Sequence, residues 1–221
     1  MRTTSVSTWL VAGGAAVLAA AWFGPLPALS RHSFAAHMAM HMSVVAVACP
    51  LLAAGIARGR FDPVRAAMTG WRAALLSPIV ASALEFVVVW SWHAPGLHQF
   101  ARHANGGLLV EQGSFLAVGM LVWLSALGGA GPGQRDRTAA GIAGLLMTSM
   151  HMTLLGVLLA LASRPLYAHG GMPTAFGLSP LDDQQLGGVV MLAFGGVSYL
   201  AGALWLLAGL LRGPRTEVAG A

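Results

Sequence analysis

Residues 33–57 read SFAAHMAMHMSVVAVACPLLAAGIA. The stretch holds no Asp, Glu, Lys or Arg. It exceeds the roughly 20 residues that a helix needs to cross a bilayer. It therefore reads as a membrane span, and its reading sets the fold class. On a helix, His37 and His41 stand at i and i+4, one turn apart on one face. Met38 and Met42 repeat that spacing on the adjoining stripe. Imidazole and thioether are the donor types that suit copper, and thioether favours Cu(I). Ionisable groups at membrane depth are costly and mark functional sites.

Working outward, five further apolar segments appear. With the first they predict spans over 6–29, 33–57, 74–93, 107–129, 138–162 and 186–211. Only 9% of the 221 residues are charged, against about a quarter in a soluble domain. The expected architecture is thus all-α: a polytopic bundle of six transmembrane helices forming one domain over residues 1–221. The segment after Arg2 also has the outline of a signal peptide, but its apolar part is longer than usual, so it is read as a retained span. Glycines such as Gly195, Gly196 and Gly202 permit close helix packing. Cys49 is the only cysteine, which excludes an intramolecular disulfide.

The formal charge of +5 comes from arginines, since the chain has no lysine. Arg2, Arg58, Arg60, Arg65, Arg72, Arg135, Arg137, Arg212 and Arg215 flank the spans on one side. Only Arg31, Arg102 and Arg164 fall on the other. The positive-inside rule then places both termini in the cytoplasm. The arginines are not interleaved with exposed aromatics, so nucleic acid is not an expected partner.

All eight histidines fall within spans or on the external side of this topology. At 1.5 Å per residue, His41, Glu85 and His151 lie about 12–16 Å below the outer ends of their spans. They share a level. His93 closes span three in Trp90-Ser91-Trp92-His93-Ala94-Pro95, where Pro95 stops the helix. His98 and His103 follow as interfacial residues, and His169 lies in the last external loop. Span five carries Met147 and Met150-His151-Met152. Glu85 reads as a carboxyl bonded to a neighbouring helix. Asp182 and Asp183 read as acids that cap the helix they begin. No nucleophile motif, phosphate loop or His-Glu-x-x-His is present, and no catalytic residue is assigned.

These elements, in this order, resemble the CtaG family of caa3-type cytochrome c oxidase assembly factors. The resemblance runs over roughly residues 33 to 200. It rests on His37 to Met42 followed by Cys49-Pro50, Trp92-His93-Ala94-Pro95, Ser114-Phe115 with Trp123, His151 to Gly156, Pro165-Leu166-Tyr167, and Asp183-Gln184 through Gly187-Gly188 to Met191. Gln112 stands where the family usually has histidine, and Leu192 where a tryptophan often follows. The resemblance implies a non-enzymatic factor for building a haem-copper oxidase in the bacterial plasma membrane. Its partners would be oxidase subunits, an external copper chaperone and membrane lipid. The expected cargo is copper as Cu(I), bound transiently. The expected ligands are His37, His41 and His151, with Met38, Met42 and Met150 as exchangeable ligands and His93 at the mouth. The rival readings are a membrane haem b electron-transfer protein using His41 and His151, a metal-free assembly scaffold, and, last, a proton-coupled transporter using Glu85.

Overall fold

The computed structural model describes residues 2–59, 62–66, 70–104, 106–129, 133–167 and 177–212. Arg60, His169 and Arg215 lie outside the described residues. Among those described there is no strand. The main helices are α1 (Arg2–Phe23), α2 (Phe34–Ala57), α3 (Pro78–His93), α4 (Pro95–His103), α5 (Gly107–Leu127), α6 (Gln134–Ala160) and α7 (Pro180–Arg212). Short helical turns at Leu26–Leu29, Pro63–Ala66 and Gly70–Leu75 link them.

Among the described residues five stretches are long and apolar enough to cross a membrane: Val6–Leu29, Phe34–Ala57, Gly107–Leu127, Gln134–Ala160 and Pro180–Arg212. The segment expected over 74–93 differs. Its helix α3 has 16 residues, which span about 24 Å against a hydrocarbon core of about 30 Å. Prolines set both ends. Ser77 before Pro78 and Ala94 before Pro95 are extended, the conformation that a following proline favours. The chain then re-enters helix at once as α4, an amphipathic helix where the sequence suggested a loop.

Helices α2 and α7 each carry one π turn, at Ser43–Ala48 and Met191–Gly196. Pro50 accounts for the first. It has no N–H to offer the carbonyl of Ala46, four residues back. Ser198 of α7 donates to that oxygen instead, at 2.7 Å. Trp123 of α5 donates to the neighbouring Val45 carbonyl at 3.1 Å. In the second π turn, Ser149 of α6 donates to the Gly196 carbonyl at 2.9 Å. Backbone groups at membrane depth need such internal partners. The π turns thereby tie α2 and α7 to their neighbours.

The start of α2 is anchored from across the bundle. Asp183 is completely buried. It accepts from the Ser33 hydroxyl at 2.6 Å and from the Phe34 amide at 2.6 Å. A carboxylate there satisfies open amides and complements the helix dipole. The sequence suggested that Asp183 caps its own helix. That task falls to Ser179, whose hydroxyl accepts from the Asp182 amide. Gly187 brings α7 onto α2: a Cβ there would lie 2.4 Å from the Phe34 ring.

Candidate metal centre

The histidine-rich turn of α2 faces the inside of the bundle. His37 and His41 are each 1% exposed, with ring centroids 4.1 Å apart. The i,i+4 spacing thus sets both rings edge to face on one buried side of the helix. Helix α5 supplies what lies opposite. Glu111 is 1% exposed. Its Oε1 lies 3.3 Å from His37 Nε2 and 3.7 Å from His41 Nε2. Helix α4 supplies His98, also buried, with its ring 4.8 Å from that of His37. One donor atom from each of His37, His98 and Glu111 falls within 4.8 Å of the others. A small ion placed among them would meet two imidazoles and a carboxylate.

The next residue on α5 controls His41. The indole of Trp22 donates to Gln112 Oε1 at 3.3 Å. An indole can only donate, so the carbonyl end of Gln112 must face it. The amide nitrogen of Gln112 then donates to His41 Nδ1, 2.7 Å away. His41 consequently carries its proton on Nε2, turned toward Glu111. That Nε2 stays 3.7 Å from Glu111 Oε1, beyond hydrogen-bond reach. Three buried atoms around Glu111 have no hydrogen-bond partner among the described residues: His37 Nδ1, His41 Nε2 and Glu111 Oε2. Leaving buried polar atoms unpaired is costly, and a metal ion would relieve that cost.

A second layer surrounds this set. His93 Nδ1 donates to the Val89 carbonyl at 2.7 Å, which leaves Nε2 3.4 Å from Met38 Sδ. The Tyr167 hydroxyl donates to the His93 carbonyl at 2.8 Å, and its ring stacks on Phe34, 4.4 Å between centroids. Burial pushes the Tyr167 phenol up. Arg102, at the end of α4, donates to the Arg31 carbonyl. Partial burial pulls its guanidinium down, while Asp183 and Glu111 oppose that shift.

The structure brings together His37, His41, His93 and Met38 of the expected ligands. Met42 is buried too, but it faces α7, with its sulfur 3.1 Å from where a Cβ on Gly195 would sit. His151 and Met150 are placed elsewhere. The His151 ring meets Phe86, 5.5 Å between centroids, and neither of its nitrogens has a partner among the described residues. Met150 is 72% exposed and turned outward. Glu85, read as a carboxyl bonded to a neighbouring helix, accepts from the Tyr199 hydroxyl of α7 at 2.5 Å.

Two members of the cluster escaped the sequence reading. His98 read as interfacial, and Glu111 drew no notice. The available signal was that Glu85 and Glu111 are the only carboxylates within the six apolar segments.

A family model described as cytochrome c oxidase caa3 assembly factor (Caa3_CtaG) matches residues 2–213. No curated protein and no solved structure matches the chain.

Proposed function

The chain belongs to the cytochrome c oxidase caa3 assembly factor family, and on that premise we propose that it binds copper and passes it to a haem-copper oxidase. The supporting observation is the buried set of His37, His98 and Glu111, whose donor atoms lie within 4.8 Å of one another. His93 and Met38 stand beside it as a soft pair. Imidazole with thioether suits Cu(I), and the carboxylate balances the ion's charge.

In this reading the protein sits in the plasma membrane with the cluster toward the external side, as the arginine distribution directs. Its role is delivery, not turnover. A carrier must release its cargo. Met38 is a neutral, weak donor that a receiving oxidase subunit displaces readily. His41, with its proton fixed on Nε2, stands 3.7 Å from Glu111 and adds a nearby N–H dipole to the site.

The test is copper and haem content per chain in detergent, with the His37→Ala/His41→Ala form alongside. The expected result is bound copper in the native chain and its loss from the variant. Haem in place of copper moves the assignment to electron transfer. Neither bound leaves assembly by contact alone. In cells the same variant is expected to remain in the membrane while the oxidase lacks copper.

A further inference from the structure

The end of the bundle away from the histidines carries a groove of about 900 Å³. It runs between the C-terminal halves of α2 and α7. Its walls are mainly apolar, with the small Pro50, Ala54 and Ala201 along the sides and Trp123 and Leu127 of α5 also lining it. At its mouth stand Arg58 and Arg65, both exposed. The Arg58 guanidinium lies over the Trp205 ring, 5.9 Å from the centroid, and donates to the Ala54 carbonyl at 3.0 Å. Among the described residues no carboxylate pairs with Arg58 or Arg65. Asp62, the acid nearest in sequence, is buried and accepts from the amides of Val64 and Gly129. The mouth is therefore strongly positive and uncompensated.

A second hollow of about 550 Å³ shares Trp205 with the first and adds Arg135 and Arg212. Four arginines from separate segments thus surround one exposed tryptophan. Tryptophan favours the membrane–water boundary. Basic pockets between membrane helices hold anionic headgroups. An apolar trough leading down from them suits an acyl chain.

We infer that the groove between α2 and α7 is a binding site for an anionic phospholipid, with its phosphate on Arg58 and Arg65 and an acyl chain along Pro50, Ala54 and Ala201. The charge at the mouth and the apolar wall below it point to one amphiphile. A free anion would use only the mouth, and a zwitterionic lipid would gain little from it. The site is independent of the copper reading, because it lies at the opposite end of α2.

The test is lipid titration of the delipidated full chain, read by native mass spectrometry. The probes are phosphatidylglycerol and phosphatidylcholine with identical acyl chains. Two arginines predict a preference for phosphatidylglycerol on the order of 10- to 30-fold. Arg58→Gln/Arg65→Gln should bring the two lipids to parity. Arg58→Lys/Arg65→Lys should keep most of the preference. Ala201→Trp, which fills the trough, should lower retention of both lipids, and Arg164→Gln at the other end should change nothing. Helical circular dichroism checks that each variant is folded. Equal binding of both lipids to the native chain, or a preference that survives the double glutamine change, overturns the assignment. So does displacement of phosphatidylglycerol by millimolar inorganic phosphate, which would mark a simple anion site.

Discussion

Two glutamates are buried in this bundle, and their surroundings differ. Glu111 of α5 faces His37 and His41, with nitrogens 3.3 and 3.7 Å from one of its oxygens. Glu85 of α3 faces hydroxyls: Tyr199 at 2.5 Å, with Thr148 and Ser82 bonded to each other nearby. Each has one oxygen without a hydrogen-bond partner among the described residues. A carboxyl among imidazoles has neighbours that lend lone pairs to a cation. A carboxyl among hydroxyls has neighbours that mainly share protons. The same residue type in the same apolar setting is therefore suited to hold metal in one place and to join α3 to α7 in the other.

Glu111→Gln separates the two most sharply. It keeps the shape but removes the charge. Copper affinity is expected to fall by at least about 10- to 100-fold, the range seen when even the groups behind a metal's ligands are altered. Competition with a Cu(I)-selective chromophoric chelator measures it. Glu85→Gln should leave copper affinity unchanged in the same titration. An equal loss in both variants would erase the distinction.

Tyr199→Phe tests the other side. It strips the hydroxyl that donates to Glu85. An unpaired buried acceptor costs about 1–3 kcal/mol, so thermal unfolding in detergent should shift down while copper content holds. A variant as stable as the native chain would show that the Glu85–Tyr199 bond is not what joins α3 to α7.

Gln112→Ala has a smaller expected effect. It frees His41 Nδ1 and releases the tautomer that Trp22 and Gln112 impose. Glu111 keeps both its charge and its contact with His37. Copper affinity should fall by less than about tenfold. Gln112→Leu should behave alike. A loss as large as that of Glu111→Gln would make His41 a direct ligand.

The legible part of the fold was what repeats along the chain. The apolar run of α2 and the i,i+4 spacing of His37 and His41 are local facts, and the two rings do meet, edge to face. Pro95 marked the end of α3. Placement across the bundle was not legible. Asp183 has the composition of a local cap, yet it serves a helix about 150 residues earlier in the chain. His98 looked interfacial because only tertiary packing, through Tyr167 and Phe34, draws α4 inward. Glu111 sits near the start of an apolar helix, where an acid needs no special explanation. Only its position opposite α2 gives it a role. Depth counting put Glu85, His41 and His151 at one level, but depth does not fix the direction in which a helix face points.

His151→Ala and Met150→Leu carry the smallest expected effect and bear on that last point. In sequence, Met147, Met150 and His151 look as much like a ligand group as His37 to Met42 do. In the bundle Met150 and Met147 turn outward, and the His151 ring rests against Phe86 rather than against another histidine. Among the described residues no element brings a carboxylate to it as α5 brings Glu111 to His37. Copper per chain should therefore be the same in native, His151→Ala and Met150→Leu protein. A fall on His151→Ala alone would mean that α6 turns inward when copper is bound. His151 and the His37–Glu111 cluster would then be two stations on one path, and no longer a metal site and a bystander.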